Sequence, residues 1–485
     1  MTARRDLWII GGGRLVIVLL SLVTIRAVTT LLSPEEYGQL SLLIVIQTFC
    51  GLFLINPVGQ HINRHTHQWW DDGSLLSRLV GYRKYVLAIS IIGGIAAIAV
   101  SMQFSILHIS IIVLTMILMV NGGTWNATWI PLLNMVGRRG TAVSWTIVTS
   151  IIGLLVSVFL CTIWPTAIAW FIGQASGFTL GAIGAGLAIR RCVPPQKIIS
   201  PYSLLNWQVI LTYCLPLAAG TGFMWIQLSG YRLLVEHYWG LSLLGFLSVG
   251  LSLAGQIWGL TETLAQQFLF PLFYKRITQS GNDSSSAALS DLMNVMMPIY
   301  LVLVGMTFLG APYLLKLLVA PKYASAEVFM RLGIGIEFCR VVANLLSNAA
   351  QVTKQTRSIV LPYATGAVIA ILMLVIVGER HLDATWIAIS LLLAALAMLV
   401  VMWIAMFREI RFVPDIRRWL AAVTVMLVLL LPTYWLKQPT DWVEVVVALL
   451  VIGLLGGVAI VGLLRTNVAL QRLAMVDLKS GNGRT

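Results

Sequence analysis

Long apolar runs separated by short polar turns recur along the whole chain, and each is long enough to cross a bilayer as a helix, which takes about 20 residues. We read about fourteen such runs, at about 8–32, 38–60, 82–103, 107–133, 140–164, 166–189, 207–233, 241–270, 291–315, 326–350, 359–378, 385–407, 418–436 and 442–464. They are far longer than the roughly ten-residue alternating strands of an outer-membrane barrel. The pattern therefore predicts an all-α polytopic membrane protein. Composition agrees: 59% of residues are hydrophobic, 10% are charged, and the mean hydropathy is +0.90. No soluble globular domain has this balance.

The turns differ in charge. Arg4, Arg5, Arg83, Lys84, Arg138, Arg139, Arg190, Arg191, Arg408 and Arg411 fall with most of the other cations on one side, whereas only Lys322, Arg380 and Lys437 fall on the other. Short cytoplasmic loops are enriched in Lys and Arg, so both termini are expected in the cytoplasm. The net charge of +14 then reflects topology and attraction to anionic head groups, not nucleic acid. The five cysteines are scattered singly, which predicts no metal site and no disulfide framework. No Walker loop is present, and no cofactor is expected. The hydrophilic stretches at His61–Gly81, Arg190–Asn206 and Tyr274–Ser290 read as cytoplasmic loops, and His61, His65, Trp69 and Trp70 as head-group anchors.

Polar residues inside the apolar runs carry the functional information. Arg26 and Arg232 lie within the first and seventh runs, where an arginine at a helix centre is disfavoured by about 2.5 to 3.5 kcal/mol on insertion scales. Such residues must face protein, water or an anionic ligand. The tenth run carries Glu337, Arg340, Asn344, Asn348 and Gln351 at spacings that share one helix face. This stripe either glues helices together, with Glu337 and Arg340 neutralising each other, or lines a water-filled cavity. Glu262, near Gln266 and Gln267, either binds a coupling cation or pairs with an arginine. Asn56, Gln60 and Asn121 add amides suited to sugar hydroxyls, and Arg14 either contributes charge or snorkels to the interface.

The chain also repeats itself. Gly38 lies twelve residues after Arg26 and Gly245 thirteen after Arg232, and the two sites read Gly38-Gln39-Leu40-Ser41 and Gly245-Phe246-Leu247-Ser248. The copies are offset by six runs, an even number, so both enter the membrane from the same side, as in two parallel bundles around a cleft. The expected division is 1–195 and 196–409 for two six-helix lobes, with 410–485 holding two additional helices and a tail.

Arg26 followed by Thr30-Leu31-Leu32-Ser33-Pro34-Glu35-Glu36-Tyr37-Gly38-Gln39-Leu40-Ser41, with Asn56-Pro57-Val58-Gly59-Gln60 beyond it, resembles the start of polysaccharide repeat-unit flippases. These belong to the multidrug, oligosaccharidyl-lipid and polysaccharide exporter superfamily. The resemblance implies a two-lobed inner-membrane transporter that carries undecaprenyl-pyrophosphate-linked oligosaccharide (O-antigen or exopolysaccharide units) to the periplasmic leaflet. A polysaccharide polymerase and a chain-length regulator are its implied partners. Arg26 and Arg232 would bind the pyrophosphate, with Arg14 and Arg340 contributing, while Glu262 or Glu337 could couple an ion. Tyr231 departs from the family pattern, in which an acid often precedes this arginine. Two alternatives stand: a cation-coupled drug exporter of the same superfamily, which wants more buried acids, and a glycan polymerase or ligase, which wants a long outer loop.

Overall fold

Apolar segments in lipid cannot offer backbone groups to water, so every N–H and C=O must be satisfied within the helix itself. In the computed structural model the chain is accordingly helical, without a strand among the described residues, which are 2–101, 106–192, 207–280, 282–353, 355–435, 441–465 and 467–473. The predicted boundary at 195/196 lies outside the described residues.

Two compact units are formed, Met1–Gly245 and Phe246–Thr485. The first holds α1 (Thr2–Leu31), α2 (Pro34–Thr48), a π-helical segment Phe49–Ile55, α3 (Asn56–Asp71), α4 (Leu75–Ser101), α5 (Ile106–Met135), α6 (Arg139–Ile163), α7 (Ala167–Arg190), α8 (Trp207–Trp225), a second π-helical segment Ile226–Gly230 and the start of α9 (Tyr231–Phe268). The second holds the rest of α9, then α10 (Phe270–Ser280), α11 (Asn282–Leu318), α12 (Glu327–Leu346), α13 (Asn348–Thr353), α14 (Val360–Glu379), α15 (Thr385–Glu409), α16 (Ile416–Leu430) and α17 (Trp442–Arg465).

Among the described residues, twelve helical stretches are long and apolar enough to cross a membrane, against the fourteen runs expected. Two physical facts account for the difference. The stretch Leu217–Ile277 is continuous through the seventh and eighth predicted runs, which join at Gly240, whose φ of 79° kinks the helix without a loop. α12 falls outside the twelve because it carries Glu327, Arg331, Glu337 and Arg340 within one segment.

Helix pairing repeats between the units. In the first, α5 packs on α4 and α7, and α6 on α7; in the second, α12 packs on α11 and α15, and α14 on α15. α16 and α17 both pack on α11, through Leu301, Leu309, Ala422, Leu429, Val445 and Ile452.

The repeated glycines have a structural reason. A Cβ on Gly38 would collide with the backbone carbonyl of Leu241, and one on Gly245 would collide with the backbone carbonyl of Pro34. Each contacted residue precedes the other glycine by one helical turn, so the crossing of α2 and α9 within the first unit maps onto itself when the two segments are exchanged. Ser33 caps α2 by accepting from the N–H of Glu36 at 3.2 Å. The Glu36 carboxylate accepts from the N–H of Ala167 at 2.6 Å, satisfying a free donor at the start of α7.

Two predicted cytoplasmic loops are largely helical. α3 continues to Asp71 because Val58, Ile62, Thr66 and Trp69 form a buried stripe at helical spacing. Trp69 is thus buried, stacked on His65 and covered by Arg78, whose guanidinium lies 5.0 Å from the ring, so it is not a surface anchor. The Tyr274–Ser290 stretch is divided between α10 and the start of α11.

Candidate functional site

Each unit contains a polar-lined cavity built on bent helices. In the first, Pro57 cannot donate to the carbonyl four residues earlier, and its ring crowds that carbonyl. The preceding turn widens into the π segment Phe49–Ile55, where the N–H of Asn56 reaches Gly51 and the Tyr85 hydroxyl donates to the Leu54 carbonyl at 2.6 Å. This widened turn borders a cavity of about 430 Å³ whose polar lining includes Gln47, Asn56, Asn63, Thr124 and Thr128. Gln60 donates to Asn56 at 3.4 Å. Asn121, on the same helix as Thr124, lines a different cavity. Asn126 donates to Thr149 at 3.0 Å in a buried bond that joins α5 to α6.

The second π segment sets the position of Arg232. Trp225 precedes it, donating to the Val45 carbonyl at 3.2 Å and resting edge-on against Phe49. Tyr231, buried at the start of α9, follows it with its N–H on Ile226. The Arg232 guanidinium then lies 5.7 Å from the Tyr231 ring, and its Nε is buried without a hydrogen-bond partner. Arg26 is half-buried near the end of α1, where Thr30 donates to its carbonyl at 2.6 Å. Neither arginine lines the first unit's cavity beside Asn56. Arg14 is exposed on α1 beside the exposed Leu15 and Val16, which suits snorkelling.

In the second unit the polar stripe of the tenth run is a connected network. Arg340 donates through Nε to Glu337 at 2.7 Å and through Nη1 to Glu262 on α9 at 2.9 Å. Asn344 donates to the other oxygen of Glu262 at 2.8 Å and accepts from the Tyr363 hydroxyl of α14 at 3.2 Å. α12 ends at Leu346, so the stripe crosses a break. The Asn348 amide donates to the carbonyls of Asn344 and Leu345 there, capping groups that the helix leaves free. The Tyr274 hydroxyl of α10 lies 2.9 Å from the side-chain carbonyl oxygens of both Asn348 and Gln351, and its one proton is donated to either. Glu262, Gln266, Tyr274, Tyr300, Asn344, Asn348 and Gln351 line a cavity of about 520 Å³.

Glu337 and Arg340 form a structural ion pair, while Asn344, Asn348 and Gln351 face an open cavity. The Arg340 charge is met by two carboxylates. Sequence reasoning missed Tyr274, Tyr300 and Tyr363, because each comes from a different helix and no spacing along one helix connects them. Their only signal is a hydroxyl in or beside an apolar run.

No protein-family model matches the sequence, and neither does any curated protein. Solved structures do. The lipid II flippase MurJ, in an inward closed conformation, matches with a TM-score of 0.70 at 12% identity, covering 95% of this chain and 98% of its own. A multidrug resistance MATE-family transporter of the MOP superfamily, inward-facing, matches with a TM-score of 0.48 at 13% identity over 81% of this chain and 94% of its own. A MOP-superfamily transporter from Pyrococcus furiosus matches with a TM-score of 0.42 at 13% identity, over 83% and 93% respectively. The chain thus has the fold of the lipid II flippase across nearly its whole length.

Proposed function

We propose that this protein flips undecaprenyl-pyrophosphate-linked oligosaccharide repeat units from the cytoplasmic to the periplasmic leaflet of a bacterial inner membrane, for surface polysaccharide synthesis. One observation carries the reading: the fold matches a lipid flippase over 95% of the chain, at a TM-score of 0.70. The family resemblance around Tyr37-Gly38 and the amide- and hydroxyl-lined cavities support a sugar-bearing cargo.

We assign the pyrophosphate to Arg26 and Arg232. Arg340 is already held by Glu262 and Glu337, so its part is to position those acids, whereas the Arg232 Nε is a buried donor with no partner. A buried donor of that kind is costly unless a ligand completes it. With the interior negative, moving two negative charges outward is favoured by about 4 to 5 kcal/mol at 100 mV, so no ATP site is required.

The test is flipping of a fluorescent polyprenyl-pyrophosphate glycan in proteoliposomes. Arg26→Ala and Arg232→Ala each lower the rate by about tenfold or more, as expected for losing a charge-assisted bond to phosphate. Lysine at either position restores part of the rate, because it keeps the charge but not the fork. Unchanged flipping in both alanine variants overturns the assignment.

A cation-coupled exporter is the second reading, favoured by two carboxylates, Glu262 and Glu337, that share the single cation Arg340. It requires that Glu262→Gln abolish proton- or sodium-driven efflux of a cationic drug, with no flipping in the lipid assay.

A further inference from the structure

A second kind of binding site lies on the outside of the first unit, in a cleft of about 520 Å³ between α4 and α7 with α5 as its floor. Leu76, Leu79, Val80 and Arg83 line one wall at helical spacing, and Ile183, Leu187 and Arg190 line the other. The floor is a pair of stacked indoles, Trp125 and Trp129, with centroids 5.0 Å apart. Gly186 gives Trp129 its room, since a Cβ there would lie 3.0 Å from the indole nitrogen. The cleft opens sideways: Val80, Ile183 and Leu187 are 55%, 55% and 52% exposed.

Its charges are arranged for an anion. Arg83 and Arg190 are both exposed, no carboxylate lines the cleft, and among the described residues neither arginine pairs with one. Helix directions bring the two together. Gly94 of α4 meets Ile117 of α5 while Tyr82 meets Trp125, so these helices are antiparallel. Gly122 meets Thr179 and Trp129 meets Gly186, so α5 and α7 run the same way. α4 and α7 are therefore antiparallel, and the Arg83 and Arg190 backbones lie about 10 Å apart along the axes. Side chains lean toward the N-terminus of their own helix, so these two lean toward each other.

Deeper in the same cleft lie Asn121 and Thr179, the latter with a buried hydroxyl lacking a hydrogen-bond partner. From rim to floor the order is paired cations, then hydrogen-bond donors, with aliphatic walls open to the side. A glycerophospholipid presents a phosphate, then ester carbonyls, then acyl chains in that same order. We propose that this cleft is a site for an anionic phospholipid, its phosphate between Arg83 and Arg190, its ester carbonyls on Asn121 and Thr179, and its chains continuing beyond them past the exposed Leu87 and Leu118. The site is separate from the cavities assigned to transport.

Native mass spectrometry of the full chain in detergent, with phosphatidylglycerol or phosphatidylcholine added, tests this. The wild type retains phosphatidylglycerol in preference to phosphatidylcholine. R83Q/R190Q lowers phosphatidylglycerol retention by about tenfold, in line with losing two charge-assisted contacts; R83K/R190K keeps most of it, and T179V lowers it without any change of charge. R138Q/R139Q removes two cations outside the cleft and leaves retention unchanged. Equal retention by R83Q/R190Q and wild type overturns the site, as does an equal loss in R138Q/R139Q, which marks generic attraction. A wild-type dimer that R83Q/R190Q dissociates also overturns it, by making a second copy the occupant. Melting curves and elution volumes matching the wild type are the condition on which each variant is read.

Discussion

At the scale of single residues, the charges within the membrane segments divide by how far their neighbours satisfy them. Arg340 is held from two sides, so its removal does more than delete a contact: it leaves Glu262 and Glu337 with no cation between them. Breaking a buried pair this way costs about 3 to 5 kcal/mol, and the 16% and 15% exposure of the two acids beside a cavity reduces that to about 2 to 4 kcal/mol. Arg340→Met is therefore expected to lower the melting temperature in detergent, and adding Glu262→Gln and Glu337→Gln to recover much of it. A triple variant no more stable than Arg340→Met refutes the charge-balance account. Glu36 works differently, as the acceptor for the first free N–H of α7. Glu36→Ala is expected to destabilise by about 1 kcal/mol, the usual worth of a cap, with the loss read in the same melting assay.

At the scale of elements, the helices were legible where one face of one helix carries the signal, and illegible where two helices must meet. Periodicity located nearly every apolar run, and it placed Glu337, Arg340 and Asn344 on one face, as found. It could not show that α12 stops at Leu346, because the break is stabilised by Asn348 folding back onto carbonyls of Asn344 and Leu345. The π segments were hidden for the same reason: Pro57 signals a bend, but the width of the turn depends on the Tyr85 hydroxyl arriving from α4. The crossing at Gly38 and Gly245 makes a sharper expectation. Because the opposing atoms are backbone, which cannot swing aside, Gly38→Ala and Gly245→Ala should each sharply reduce folded yield. Gly259→Ala in α9, where nothing lies within 4 Å of the added carbon, should be neutral or stabilising by up to about 1 kcal/mol. Fluorescence size-exclusion of tagged variants reads all three, and wild-type yield from both Gly38→Ala and Gly245→Ala would falsify the close approach.

At the scale of the whole molecule, the internal repeat was visible in four residues and recurs in the pairing of helices, α4, α5, α6 and α7 in the first unit being matched by α11, α12, α14 and α15 in the second. The count of spans was less legible, since a helix can continue through Gly240 and a charged helix such as α12 hides from any hydropathy window. α16 and α17, beyond the repeat, have a clear seat on α11. The self-matching contact between Gly38 and Leu241 also bears on how the protein is made. Helices enter the membrane in the order of translation, and the partner of α2 emerges about 200 residues later, about 10 to 40 s at ordinary elongation rates. Throughout that interval α2 has α4, α5 and α7 to rest on, but its glycine face at Gly38 lacks the α9 backbone that fills it. That one crossing thus waits on the ribosome, and a stall before Leu241 leaves the glycine face of α2 uncovered.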